Sequence, residues 1–275
     1  MKIGFIGAGN MAQALVRGIH SSGNYQPEDI LITDRGGGRA EQLAEQLGLT
    51  YIADNRQLAS RCQVLILAVK PAQILAVLED VADVLPSGSS VISLAAGTTL
   101  ASLRAAFETG GGQEVSLVRA MPNVNALVGE SITALSRDQV DCAVLDQARQ
   151  ILGCAGQTVV LDEDDFAVFA ALGGCSPAWL YTVVDALARA GVKHGLPKSV
   201  GVKVAAQAML GSAKLILDQA ESGGDSAQDL VDRVTSPGGT TIAGLLAAQE
   251  AGLSTSLVKA VDAAVARDGQ ISAGK

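Results

Sequence analysis

Histidine, cysteine and basic residues are all in short supply in this chain of 275 residues, and each shortage removes a class of chemistry. There are two histidines (His20, His194) and four cysteines (Cys62, Cys142, Cys154, Cys175), with no Cys-x-x-Cys pair. A zinc site draws on about four closely spaced N or S ligands, so no metal centre is expected. The cysteines read instead as small buried apolar residues of a reduced, cytoplasmic protein. Lys plus Arg is 20 against 28 Asp plus Glu, a net charge of −8 with an isoelectric point of 4.8. Such a surface does not neutralise a run of phosphates, which excludes a general nucleic-acid binder. The longest unbroken aliphatic run is residues 64–69, far short of the ~20 residues that cross a bilayer, so no membrane contact is expected.

What is present is apolar enough for a large core: 48% of residues are hydrophobic and 17% charged. Short apolar runs at residues 2–6, 30–33, 64–69, 90–94 and 115–119 read as strands, separated by segments of helical spacing. The run at 64–69 does not alternate, the mark of a strand covered on both faces. Strands alternating with helices define an α/β fold with a doubly wound parallel sheet of Rossmann type. After a last strand candidate at 157–161 the rhythm changes, and from Pro177 onward only helical patterns follow. The expected division is a dinucleotide-binding domain over 1–161 and an all-helical domain over 162–275. The acidic run Asp162-Glu163-Asp164-Asp165 reads as capping of the helix it opens. Residues 200–217 are apolar nearly all round, so that helix is expected either at a subunit interface or at the centre of a monomeric bundle.

The turn Gly7-Ala8-Gly9-Asn10-Met11-Ala12 follows the first strand and opens a helix. Gly7 permits the tight turn, Gly9 admits a pyrophosphate, and Ala12 lets helix and strand pack closely. The helix start then offers free N–H groups to the phosphates. At the end of the second strand, Asp34 suits a ribose 2′-OH and so NAD(H). Arg35 and Arg39, flanking three glycines, suit a 2′-phosphate and so NADP(H). NADP(H) is favoured and NAD(H) stays open. Ala68, Val69, Lys70 and Pro71 end the strand beside this turn, and Ala96-Gly97 and Asn123 end the next two on the same rim. Asn123 is a candidate amide donor to the nicotinamide. Asn55 is expected to cap the helix that follows it and to touch the adenosine end.

A second unusual stretch is Thr235-Ser236-Pro237-Gly238-Gly239-Thr240-Thr241. It reads as a helix start with little side-chain cover, whose N–H groups and two hydroxyls would receive a carboxylate. Ordinary capping by Ser236 with Pro237 at the first helical position is the alternative.

Together with Phe5-Ile6, Ala68-Val69-Lys70-Pro71, Met121-Pro122-Asn123 and Ser176-Pro177-Ala178, these motifs make the chain resemble the pyrroline-5-carboxylate reductase family over nearly its whole length. The resemblance implies a Rossmann domain, a helical domain interlocking homodimers, which in the family often assemble further into decamers, and NAD(P)H-dependent reduction of 1-pyrroline-5-carboxylate to L-proline. It implies that Ser236, Gly238, Gly239, Thr240 and Thr241 hold the substrate carboxylate, with Thr241 bonding the ring nitrogen. Where such proteins commonly read Met-Pro-Asn-Thr-Pro-Ala this chain has Val124 and Asn125 after Asn123. Where they commonly read Ser-Gly-Ser-Gly-Pro-Ala-Tyr it has Gly173-Gly174-Cys175-Ser176-Pro177-Ala178-Trp179.

A protonated imine accepts hydride without forming an alkoxide, so no strong general acid is required. That suits a chain whose two histidines lie outside the rim loops. A relative reducing another cyclic imine is the nearest alternative. A β-hydroxyacid-type dehydrogenase would need a lysine base beside an asparagine, yet no asparagine follows Asn125. A nucleotide sensor would have no use for the 236–241 turn.

Overall fold

The computed structural model describes residues 1–136 and 141–273. The apolar runs become strands buried at every position: β1 Ile3–Ile6, β2 Ile30–Thr33, β4 Val64–Leu67 and β5 Ser90–Ser93. With β3 Thr50–Tyr51, β6 Ser116–Met121, β7 Ser131–Ser136 and β8 Gly156–Leu161 they form one sheet in the order β3-β2-β1-β4-β5-β6-β7-β8. Every pairing is parallel except β6 with β7. The order reverses at β1, which places β1, β2 and β4 side by side with their carboxyl ends on one edge, where such sheets take their ligands.

Helices cover both faces. On one lie α1 Asn10–Ser21, α2 Arg39–Leu47 and α6 Cys142–Gly153, packing Leu15, Leu43 and Ile151 with Phe5 and Ile32. On the other lie α3 Asn55–Ala59, α4 Pro71–Val81 and α5 Leu100–Thr109, packing Leu58, Leu78 and Phe107 with Ile6 and Leu65. Each such side chain, fully buried, stabilises by about 1.5–3 kcal/mol. The α2 helix ends as its sequence suggests, on Gly48 in the left-handed region at φ 70°.

The sheet is parallel as expected but for β7, a strand the sequence did not announce, which runs antiparallel to β6. The β7 residues, Ser-Ile-Thr-Ala-Leu-Ser, carry three buried hydroxyl side chains beside the buried Ala134 and Leu135. Those hydroxyls bond locally: Ser131 Oγ receives the Asn123 N–H at 3.3 Å and Ser136 Oγ the Arg119 N–H at 3.0 Å.

The acidic run also behaves differently from expectation. Glu163 does not cap its own helix; its Oε1 receives the Leu100 N–H at 2.8 Å and the Arg119 guanidinium at 2.9 Å. After α7 Phe166–Phe169 the chain passes through a π-helical segment, Ala170–Cys175. Of the four cysteines, all free, Cys62 alone is buried, and burial pushes its thiol up to about 12; Cys142 and Cys175 are exposed.

The chain divides into two compact units, Met1–Gly174 joined by the C-terminal stretch from Val265, and Cys175–Ala264. The second contains α8 Ser176–Lys193, α9 Lys198–Ser222, α10 Ala227–Arg233, α11 Thr240–Glu250 and most of α12 Leu253–Ala273. The α8 and α9 helices cross closely because Gly201 has no side chain: a Cβ there would sit 3.0 Å from the Ala188 Cα.

Asp185 ties the same pair, its carboxylate 2.6 Å from Arg189 Nε and 2.7 Å from Lys198 Nζ. The Arg189 bond, then the Lys198 bond, hold its pKa at about 2. A carboxyl depressed in the folded state stabilises above its unfolded pKa and loses that contribution as pH falls through the folded value. We therefore expect the melting-temperature gap between the wild type and Asp185→Asn to be full above about pH 4 and to close as pH falls to about 2. Scanning calorimetry across that range checks it; a gap independent of pH would contradict it. Added salt should narrow the gap, since the pair is exposed.

Much of the second unit is uncovered. In α9 only Gly201 and Ala205 are buried, while Val204 and Leu217 are 58% and 60% exposed. That excludes a central helix in a monomeric bundle. No described side chain of α10, α11 or α12 is buried. Two helical stretches among the described residues, Glu163–Lys193 and Lys198–Ser222, are long and apolar enough to cross a membrane by length and composition, although neither holds a long unbroken aliphatic run.

Candidate dinucleotide and substrate sites

The first site is built where β1 runs into α1. Gly7 adopts φ 109°, and a Cβ there would lie 2.7 Å from the Ala68 carbonyl oxygen at the end of β4. The Gly7 N–H donates to the Thr33 carbonyl at 2.9 Å. This one residue therefore sits between β2 and β4 in a conformation that L side chains rarely adopt. Gly9 is the N-cap of α1 and supplies no side-chain cap. The Gln13 side chain donates to the Ala8 carbonyl at 3.0 Å, bracing the turn. A Cβ on Gly9 would meet nothing within 4 Å, so the missing side chain leaves space over uncapped amides, which fits a diphosphate. Ala12 is fully buried against the sheet, as the motif requires.

Around this turn stand the ends of β4 and β5. Ala68, Val69 and Lys70 follow β4 beside Gly7; the Ala68 N–H donates to the Ile6 carbonyl at 2.9 Å. Lys70 is exposed at the N-cap of α4, with Pro71 at the first position. Ala96 is exposed after β5, and Gly97 turns the loop at φ 66°.

Three residues have roles other than those expected. Asp34 spends its carboxylate on backbone: Oδ1 receives the Gly36 N–H at 3.3 Å, and Oδ2 the Arg39 and Ala40 N–H groups, each at 3.2 Å. It caps α2 from a distance, because Gly38 at the N-cap has no side chain to do so. Among the described residues Arg35 and Arg39 are exposed and make no ion pair, which leaves the positive side of this loop open. Asn55 does not cap α3; Asp54 does, its Oδ1 receiving the Gln57 N–H at 2.7 Å. Asn123 is not a free amide donor. It is 5% exposed, donating Nδ2 to the Gly173 carbonyl at 2.8 Å and receiving the Ile132 N–H on Oδ1 at 3.3 Å.

The second site lies at the start of α11. The helix begins at Thr240 after Gly239 as N-cap, with no side-chain capping bond. Ser236 is thus not the cap; its carbonyl receives the Gly239 N–H at 3.0 Å, closing a turn in which Gly238 adopts φ 69°. A Cβ on Gly239 would come 2.4 Å from Ser236 Oγ. Ser236, Gly238, Thr240 and Thr241 are all exposed. The first residues of α11, Thr240 and Thr241 among them, therefore form an exposed helix start without a side-chain cap. Cys175 is exposed and Trp179 half-buried at the head of α8.

The pairing of Arg119 with Glu163 is not foreseen by the reading of residue 119 as a strand end and of Glu163 as part of a capping run. Arg119 is 8% exposed and its guanidinium lies 4.4 Å over the Phe166 ring. The signal was an arginine inside an apolar strand; its partner stands 44 residues away.

Fold and turn together define a dinucleotide-binding protein of the doubly wound class, carrying a helical second module. Two family models match: one described as NADP oxidoreductase, coenzyme F420-dependent, over residues 2–97, and one as pyrroline-5-carboxylate reductase dimerisation over residues 163–271. A pyrroline-5-carboxylate reductase of Synechocystis is 33% identical, with 98% of each chain covered. The solved structure of that enzyme from Coxiella burnetii superposes at a TM-score of 0.89 with 34% identity, covering 98% of this chain and 97% of that one. A Plasmodium falciparum pyrroline carboxylate reductase solved with NADP bound gives a TM-score of 0.83 at 27% identity, covering 99% of this chain and 98% of that one. The chain belongs to the pyrroline-5-carboxylate reductase family.

Proposed function

We propose that this chain reduces 1-pyrroline-5-carboxylate to L-proline with NADPH, NADH being the poorer donor. The observation that carries the substrate assignment is the uncapped start of α11, where backbone N–H groups stand beside Thr240 and Thr241. A carboxylate at such a terminus gains from the helix dipole and from charge-assisted hydrogen bonds. NADPH when bound supplies the hydride. The Gly7–Met11 turn would hold its diphosphate, and Arg35 and Arg39 its 2′-phosphate. Asp34 is committed to the backbone of α2, which favours the phosphorylated cofactor. Lys70, Ala96 and Gly97 would line the nicotinamide half.

In this reading Ser236, Gly238, Gly239 and Thr240 fix the carboxylate, and Thr241 Oγ1 orients the imine nitrogen. The protonated nitrogen carries the positive charge that makes its carbon electrophilic; hydride addition neutralises it, and no further proton is needed at that step. Loss of one such hydrogen bond costs roughly 1–3 kcal/mol. Thr241→Ala should therefore lower kcat/KM by about 10- to 100-fold with NADPH binding unchanged. Following NADPH oxidation with racemic pyrroline-5-carboxylate, and with a β-keto acid as control, tests both points. Wild-type kinetics in Thr241→Ala would remove its role.

A six-membered cyclic imine carboxylate is the second reading. The observation in its favour is the altered loop, with Cys175 and Trp179 at positions where relatives commonly carry serine and tyrosine.

The functional division is taken at 1–161 and 162–275, close to where the dimerisation model begins. The apolar faces of α8 and α9 are assigned to a second copy of the chain and not to lipid, with dimers joining further into a decamer; solution mass by light scattering tests this. Four free cysteines suit the cytoplasm.

A further inference from the structure

We propose that Glu163 is a positioning residue for the cofactor, acting through the loop that carries Ala96 and Gly97. This rests on the reading above that the loop lines the nicotinamide half of the site. The loop leaves β5 under firm anchorage: the Leu94 N–H donates to the Leu67 carbonyl at 3.0 Å, and the Ala95 N–H to Ser93 Oγ at 3.4 Å. Gly97 then reverses the chain, and α5 begins at Leu100. The cap of α5 is Thr99, whose hydroxyl receives the Ser102 N–H at 3.1 Å. That leaves the Leu100 N–H, the first amide of the helix, to be satisfied from elsewhere. Glu163 Oε1 satisfies it at 2.8 Å, a carboxylate placed at the positive end of the helix dipole.

Glu163 is itself held. The same oxygen receives Arg119 Nη1 at 2.9 Å, with the two side chains 23% and 10% exposed. Arg119 is fixed by its guanidinium stacking on the Phe166 ring and by its backbone N–H on Ser136 Oγ at 3.0 Å. Phe166 is 2% exposed, so this arrangement has little room to relax. A charge-assisted bond to a part-buried carboxylate thus pins the far end of the loop 94–99. Released at Leu100, the loop would sample positions in which Ala96 and Gly97 no longer meet the ring. The penalty falls on cofactor binding and not on the chemical step.

Steady-state kinetics on Glu163→Ala, Glu163→Gln and Glu163→Asp, with thermal melts in parallel, test this. Glu163→Ala should raise KM for NADPH about tenfold, with kcat at saturating NADPH and KM for the imine within about twofold of wild type. Glu163→Gln keeps an acceptor for the Leu100 N–H and should recover most of that loss. Glu163→Asp keeps the charge but is one methylene short, and should behave like the alanine variant. A wild-type KM for NADPH in the folded variants, whatever their melting temperature, would reduce Glu163 to a structural brace and overturn the proposal; so would a fall in kcat with KM for NADPH unmoved. Should the alanine variant be insoluble, the glutamine and aspartate pair decides alone: equal KM values for NADPH overturn it. Titrating NADPH into the wild type separates the two levels, since absence of binding there defeats the cofactor reading itself, while binding that is insensitive to residue 163 defeats only this inference.

Discussion

Replacing Gly7 with alanine should abolish measurable NADPH binding and lower the melting temperature, while Gly9→Val should abolish binding and leave the fold intact. The two glycines stand two residues apart and look equivalent as letters. At Gly7 the backbone lies at φ 109°, and an added Cβ would press on the Ala68 carbonyl oxygen at 2.7 Å and carbon at 2.8 Å. Neither obstacle is a flexible side chain. Strain at such a φ and overpacking against backbone each cost about 1–3 kcal/mol. Together they should lower the melting temperature by about 5–15 °C for a chain of this size. The β1–α1 turn would have to open, taking the α1 amides out of register with a diphosphate. Gly9 has an ordinary extended backbone, φ −71° and ψ 176°, and free space around the Cβ position. Valine fits there without strain, but its methyls fill the approach to the uncapped amides. Fluorescence titration with NADPH and a thermal melt of both variants separate the effects. Wild-type affinity in Gly9→Val would mean that the diphosphate does not sit on α1.

That contrast also marks how far the site was legible from letters. The spacing of Gly7, Gly9 and Ala12 located the turn because each position answers a steric demand that repeats wherever a strand enters such a helix. The buried strands and the five late helices were legible for the same reason, since unbroken apolar runs and helical periodicity are local signals. β7 was not, because three of its buried side chains are serine and threonine hydroxyls, and two of these take N–H groups from Arg119 on β6 and from Asn123. Asp34 and Asn123 show a different limit. Each stands where a ligand contact was expected, yet folding gives each a backbone partner: Arg39 and Ala40 for one, Gly173 for the other. A polar letter on the rim announces hydrogen-bonding capacity but not which group will use it. The Arg119–Glu163 pair, 44 residues apart, is a purely tertiary fact.

Placing Glu at both Val204 and Leu217 should yield a dispersed monomer that has lost helix and activity but still binds NADPH. Both side chains are more than half exposed on α9, so in a single chain a charge there costs little. In an assembly they would carry a charge into an apolar contact, at about 3 kcal/mol or more per site, which weakens association by over a hundredfold. The rest of the second unit makes this consequential. α10 has 7 residues and α11 has 11, and neither has a buried side chain. Isolated helices below about 12–15 residues are marginal in water. If a second copy covers them, as the match to a dimerisation module over residues 163–271 leads us to expect, these helices would draw their stability from it. When the copies part, α11 should fray first at its uncapped start, which is the turn assigned to the substrate carboxylate. The first unit owns a core on each face of its sheet and needs no such support. The expected signature is joint: halved or smaller mass by light scattering, reduced helical ellipticity, no imine reduction, and NADPH affinity unchanged. A double variant that kept its mass and its activity would show that α9 is covered by something other than another copy.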